Sequence, residues 1–311
     1  MLRFLTIDQH RYTLRLFLEQ GSEELRRAVQ VLGYREAEAS MGRKDLQGDV
    51  IVLCDLERMG ADELEELAAL RDRCLRLGAR RVLNDPRRVL RRYRLGRWLH
   101  ERGLHRFRPW RWADLVESGP AELVRYPVFL RDEREHDGAR SPLLYSPREL
   151  EAWMGEHGQG RDSTSPIDGR RRDWLVVEFE DTRRPGETLF HKAGAFVLDG
   201  AVIPRHLFFA SQWMVKGGGP SEPWMVRREQ EYVQQNWGHQ HAAEVCALAG
   251  IDYGRIDFAF PGDEATGPIV TFEINTNPTV LDAGDLADAE RRAVTQRFCQ
   301  RFTEALLDLS A

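Results

Sequence analysis

The stretch from Tyr253 to Pro278, YGRIDFAFPGDEATGPIVTFEINTNP, constrains this chain more than any other. Ile256, Phe258 and Phe260 alternate with Arg255, Asp257 and Ala259. After a polar, Gly/Pro-rich connection, Val270, Phe272 and Ile274 alternate with Thr271, Glu273 and Asn275. Successive side chains on a strand point to opposite faces, so this period of two predicts two strands, each with an apolar and a polar face. Paired as a hairpin, they bring Arg255, Asp257, Glu273 and Asn275 onto one surface. Aspartate and asparagine are depleted in strands, yet both stand here inside otherwise apolar ones. Asn277-Pro278 ends the second strand, because proline donates no hydrogen bond and restricts the residue before it. The carboxylates therefore lie near the end of a sheet, within reach of a ligand. Three hard oxygen donors beside a guanidinium suit Mg²⁺ held against phosphate. A charged hairpin face that is merely solvated is the structural alternative.

GRIDF, a short hairpin and EINTNP together resemble the metal-binding end of the ATP-grasp ligases, the superfamily of D-alanine–D-alanine ligase and glutathione synthetase. The resemblance implies ATP and Mg²⁺ as cofactors. Asp257, Glu273 and Asn275 would hold two ions that bridge the phosphates, and Arg255 would stabilise charge on the phosphoryl group in transfer. It also implies an α/β fold: an N-terminal Rossmann-like parallel lobe followed by two α+β ATP-grasp lobes.

The 311 residues suffice for two or three compact lobes. A hydrophobic content of 42% without any long uncharged apolar run indicates a globular chain with no membrane partner. Charge interrupts MLRFLTIDQHRYTLRL too early for a secretory signal. Cys54, Cys74, Cys246 and Cys299 are scattered, so neither a disulfide frame nor a zinc site is expected and a reducing cytoplasm is. A net charge of −5 gives no global attraction to nucleic acid or anionic lipid. Positive charge is almost all arginine; Lys44, Lys192 and Lys216 are the only lysines.

Strand and helix alternate through residues 1–104. LRFLTI, DVIVLCDL and RRVLND read as strands; helices are expected after Ser22 as far as Gly33, from Ala61 to Gly78, and from Arg87 to Arg102 behind Pro86. This pattern predicts a small parallel layer with right-handed crossovers. The arginine-rich, aromatic segment Arg87–Trp112 has the composition of an RNA-binding surface. Leu90, Leu95, Trp98 and Leu99 nevertheless share a helix face, which leaves the arginines solvated. Nucleic acid is therefore not the expected partner. In the ligases a lysine near the start of this helix helps hold the nucleotide, a place that Arg87 or Arg88 could take.

A central lobe is expected over 105–185. LVRYPVFLRD reads as a strand ending at Arg131, which stands where the ligases carry a phosphate-binding lysine, followed by a polar loop poorer in glycine than theirs. Arginine contacts phosphate through a planar fork rather than a point charge. Ser146–His157 reads as a helix, RDSTSPIDGRRRD as a loop and WLVVEFEDT as a strand. The resemblance assigns Glu178 and Glu180 to nucleotide binding; solvated acids at a strand end are the alternative.

The third lobe, 186–311, opens with two strands around Asp199-Gly200, a strong hairpin signal. Lys192 on the first strand suits phosphate. Arg205 and His206 on the second are candidates to face the acceptor substrate, for example by pairing with a carboxylate. The loop from Lys216 to Trp224 is a candidate lid. Arg227–Gly250 reads as one long helix. The last segment reads as an amphipathic helix with Val294, Phe298, Phe302 and Leu306 on its buried stripe.

The expected activity is an ATP-dependent carboxylate–amine (or thiol) ligase that works through an acyl phosphate, with small-molecule carboxylate and amine substrates. No side-chain nucleophile is needed, since positioning and charge neutralisation carry such a step. The alternatives are an ATP-grasp small-molecule kinase, in which aspartate typically stands in place of Glu273, and a nucleotide- or RNA-binding protein without turnover. A homodimer stays open.

Overall fold

The computed structural model describes residues 1–41, 46–118, 125–136, 138–158, 173–217, 222–264, 267–280 and 289–311. The expected loop RDSTSPIDGRRRD and the middle of the candidate lid lie mostly outside these residues.

Four parallel strands form the first sheet in the order β2-β1-β3-β4: β1 (Leu2–Thr6), β2 (Val29–Gly33), β3 (Val50–Leu53) and β4 (Arg81–Leu83). The central β3 is buried along its whole length, as a continuous apolar run requires. Around the sheet stand α1 (Tyr12–Gln20), α2 (Glu23–Ala28), α3 (Tyr34–Met41) and α4 (Ala61–Arg76). Ser22 does cap α2, its Oγ accepting from Leu25 N at 3.1 Å. The helix stops at Ala28, however, and Val29–Gly33, expected to continue it, is a strand paired Leu2↔Val29. The alternating VQVLG gains a ladder along β1 that outweighs its modest helix propensity.

A second sheet, β5-β7-β6, is antiparallel: β5 (Pro109–Arg111), β6 (Val128–Asp132) and β7 (Trp174–Glu178). With it go α5 (Arg92–Glu101), α6 (Trp112–Ser118) and α7 (Pro147–Gly158). The expected helix start at Arg87 is displaced to Arg92. The chain before it turns instead, and Leu90 N donates to Ala249 O at 2.8 Å. The aromatic residues of this segment are covered. Trp110 and Trp112 are buried, and Arg102, Arg108 and Arg111 lie over Trp98, Trp110 and Tyr93 at 3.7, 3.3 and 4.3 Å. They stack on the protein's own arginines, which leaves little ring face for bases.

The third sheet, β11-β10-β8-β9, is antiparallel: β8 (Phe190–Leu198), β9 (Ala201–Ala210), β10 (Tyr253–Ala259) and β11 (Val270–Asn275). Asp199 and Gly200 take φ of 50° and 85°, the positive pair that a two-residue hairpin turn requires. The long helix expected over 227–250 is two, α8 (Pro223–Gln235) and α9 (His239–Leu248), because Asn236 and Gly238 adopt left-handed φ of 55° and 77°. The closing α10 (Ala289–Ser310) buries Val294, Phe298, Phe302 and Leu306. Among the described residues no helix is long and apolar enough to cross a membrane.

Asn84, with φ of 64°, fastens the first sheet to the third. Its Nδ2 donates to Leu53 O and Tyr253 O, and its Oδ1 accepts from Asp252 N and Tyr253 N, all within 2.8–2.9 Å.

Candidate active site

The pairing of β10 with β11 sets the site. Arg255 lies opposite Asn275 and Asp257 opposite Glu273, and the register shifts immediately after Asp257. Directly opposed residues share a face with Cβ atoms about 4.5–5.5 Å apart, so all four polar side chains stand together. A bulge interrupts the ladder at the carboxylates, after which pairing resumes at Phe258↔Thr271, and such bulges are common beside functional sites.

Cations from four elements surround the two carboxylates. Lys192 Nζ on β8 donates to Asp257 Oδ2 at 3.1 Å, and Arg255 Nε donates to Asp257 Oδ1 at 2.7 Å. Arg131 on β6 and Arg92 on α5 both donate to Glu273 Oε2, at 2.7 and 2.5 Å. His136 Nε2 lies 2.9 Å from Glu57, and its Nδ1 lies 3.7 Å from Glu273. Burial alone would raise the Glu273 carboxyl, but Arg131, Arg92 and His136 outweigh it and hold the acid well below its ordinary range. Burial and the neighbouring Arg92 bring the Arg131 guanidinium down to about 10. Burial opposes charge on His136 too, yet Glu273 and Glu57 raise it above the usual histidine value.

Beside this charged floor a cleft opens between the second and third sheets. Its walls are apolar, formed by Phe107, Phe129, Val177, Phe179, Trp213 and Phe272, while Arg131, Lys192, Asp257 and Glu273 close one end. An apolar slot with a few convergent polar groups is the ordinary form of a small-molecule site. Glu180 lines it and pairs with Arg125 at 2.7 Å. The Glu178 carboxylate is taken up by protein donors, accepting from Trp110 Nε1, Arg108 N and Arg125 N at 3.1–3.3 Å. Arg205 and His206 are buried on β9 outside this cleft lining, with Arg205 Nη1 3.2 Å from Thr295 Oγ1.

Three residues of the site escape a reading of the sequence: Arg92, His136 and Glu57. Arg87, the expected cation of the helix start, pairs at the surface with Asp72. Arg92 reaches Glu273 because the helix begins five residues later than the proline implies. Glu57 accepts from Thr276 N at 3.1 Å and thereby holds the segment that follows Asn275. Asp55 grips the same segment, accepting from Asn277 Nδ2 at 2.9 Å.

The donor set fits Mg²⁺ of one kind. Among the described residues no three His, Cys, Asp or Glu side chains gather as a metal cage. Two carboxylates and the Asn275 amide oxygen, which here accepts from Asn277 N at 2.8 Å, would leave most of an octahedron to water and phosphate oxygens, the usual arrangement for magnesium that arrives with a nucleotide. The excess of cations over carboxylates around this floor calls for a polyanion as well.

No family pattern and no curated protein matches the sequence. Solved structures do match in three dimensions. The D-alanine–D-alanine ligase of Coxiella burnetii superposes with a TM-score of 0.50 at 10% identity, over 97% of this chain and 96% of that one. The Bacillus anthracis D-alanine–D-alanine ligase complexed with ATP gives 0.48 at 11%, covering 98% of each. The ligase PsnB complexed with its minimal precursor, Mg and ADP gives 0.47 at 14%, over 100% of this chain and 97% of that one. At such identities the likeness speaks for the fold alone.

Proposed function

We propose that this chain, whose fold is that of the ATP-grasp enzymes, is an ADP-forming ligase that joins a carboxylic acid to an amine, or less often a thiol, through an acyl phosphate. The observation that carries this reading is the register of β10 on β11, which sets Asp257 against Glu273 and Arg255 against Asn275 beside an apolar cleft.

Asp257, Glu273 and Asn275 would hold magnesium, which supplies charge neutralisation for the triphosphate when bound. The purine would lie between the apolar walls, with Glu180 at their edge and the backbone of Glu178 alongside. Arg131 and Lys192 approach from facing sheets and bind phosphate oxygens. Arg92 keeps Glu273 ionised and oriented. Arg255, held on Asp257 by two hydrogen bonds, meets the charge that develops on the transferring phosphoryl group. A carboxylate oxygen attacks the γ-phosphorus and ADP departs. The amine then attacks the acyl carbon and inorganic phosphate leaves. Arg205 and His206, expected from the sequence to face the acceptor, are assigned here to the acid substrate instead. Glutamate rather than aspartate at 273 favours the ligase over a kinase.

ADP release across pools of acids and amines, with hydroxylamine present, tests the reading. A hydroxamate product supports it. ADP with a phosphorylated alcohol indicates a kinase, and nucleotide binding without ADP indicates a binding protein.

A further inference from the structure

Register across the third sheet aligns four positions in one row: Glu273 on β11, Asp257 on β10, Gly194 on β8 and His206 on β9. Residues in register share a face, so His206 stands on the same side as the two carboxylates. Neighbouring strands are about 4.8 Å apart, which puts His206 two spacings, roughly 10 Å, from Asp257. Gly194 lies between them without a side chain, and the imidazole leans into that gap. A Cβ on Gly194 would fall 2.4 Å from Cε1 of His206 and 2.6 Å from its Nε2.

The ladder of β8 with β9 slips between Gly194 and Ala195, so that Pro204 and His206 face consecutive residues of β8 and Arg205 is the extra one. Such a bulge re-aims side chains. Arg205 is only 9% exposed and lies over the Phe298 ring at 4.8 Å, and among the described residues its one hydrogen bond runs to Thr295 Oγ1. Among the described residues no carboxylate lies within ion-pair distance of it. His206 is 4% exposed, and its buried Nε2 has no hydrogen-bond partner among the described residues. Burial, then Arg255, Lys192, Arg205 and Arg291, hold the imidazole well below its usual pKa, which favours the neutral ring. These four cations are matched by two carboxylates, Asp257 with Lys192 and Arg255, and Glu229 with Arg291. An isolated buried guanidinium is costly, and a buried imidazole nitrogen without a partner adds to that cost. A triphosphate satisfies Lys192 and Arg255 but leaves Arg205 and His206 unanswered.

We propose that the acid substrate is a dicarboxylate: one carboxyl is phosphorylated beside Arg255, and the second is received by the Arg205 fork and the Nε2–H of His206. This rests on the ligase reading and narrows its substrate class. Arg205 and His206 are specificity-determining residues that take no part in phosphoryl transfer.

The test is calorimetric titration of the full chain with the straight-chain dicarboxylates from oxalate to adipate and with their monomethyl esters. Each is measured with and without Mg²⁺ and the non-hydrolysable analogue AMP-PNP. At least one diacid should bind tenfold or more tightly than its ester. Arg205→Met should erase that difference, Arg205→Lys should restore part of it, and both should leave AMP-PNP affinity within about twofold. Equal binding of every diacid and its ester to the native chain, or a difference that survives Arg205→Met, would overturn the proposal. The comparison in the native chain involves no variant, so a misfolded Arg205→Met cannot obscure it. Failure to bind AMP-PNP would sink the ligase reading separately, while the titration without nucleotide would still decide the dicarboxylate site.

Discussion

Arg131 Nη2 lies 2.7 Å from Oε2 of Glu273, although one residue sits on the second sheet and the other on the third. The pair spans the end of the cleft, where a triphosphate would have to lie. Bound phosphate would draw Arg131 away from Glu273 and leave that carboxylate to a metal, with Arg92 still beside it. Arg131→Met should therefore weaken binding of magnesium AMP-PNP roughly ten- to a hundredfold, the loss of one charged hydrogen bond of about 1.5–3 kcal/mol. Arg131→Lys, which restores a point charge, should lose only a few-fold. Calorimetry on the three chains measures both.

Asn84 should matter to stability more than its surface-loop composition implies. Three of its four side-chain hydrogen bonds cross to Asp252 and Tyr253 beside the third sheet and the fourth holds Leu53 O in the first, so replacing it by alanine strands two backbone N–H groups and two carbonyls. Its left-handed φ adds strain for alanine. Asn84→Ala should cost about 3–5 kcal/mol by urea denaturation. A loss below about 1 kcal/mol would mean that the two sheets are fastened elsewhere.

Gly194→Ala should act on His206 rather than on the strand. The new methyl would enter the imidazole's place, and overpacking of this kind costs about 1–3 kcal/mol. The double variant Gly194→Ala/His206→Ala should recover most of that loss in thermal melts, because the clash goes with the ring.

Much of this architecture was legible in the residues. Alternation with a period of two marked β10 and β11, and Asp199-Gly200 marked the turn between β8 and β9, because both depend on local backbone geometry. What failed depended on neighbours. Val29–Gly33 becomes a strand only because β1 offers an edge for it. Pro86 reads as a helix opener, yet Leu90 N bonds Ala249 O and delays the helix to Arg92; the Glu273 partner on α5 was missed with that boundary. Asn236 and Gly238 are a break signal that the surrounding helical pattern concealed. Within the site, Asp257, Glu273, Asn275 and Arg255 were readable from spacing. Glu57 and His136 were not, since they reach the site from other lobes across 219 and 137 residues of chain.

Acid should destabilise the fold in a defined window. Burial pushes His105 from 6.5 down to about 3, with His241 and His100 adding to it, and its Nε2 accepts from Thr271 N at 2.9 Å. The unfolded chain takes up this proton below about pH 6.5, whereas the folded chain resists it until about pH 3. Stability is therefore fully present above pH 6.5 and falls toward pH 3, with a slope approaching about 1.4 kcal/mol per pH unit from this residue. His105→Gln should flatten that part of a urea-denaturation profile. An unchanged slope would place the acid sensitivity on other groups.

Asp257, Glu273 and Asn275 are proposed to meet a magnesium triphosphate. Titration of AMP-PNP into the native chain and into Glu273→Gln, each with excess Mg²⁺ and with EDTA, tests it most directly. EDTA should weaken nucleotide binding to the native chain at least thirtyfold, and Glu273→Gln, still folded, should lose most of that dependence. Nucleotide affinity indifferent to both magnesium and Glu273 would contradict it.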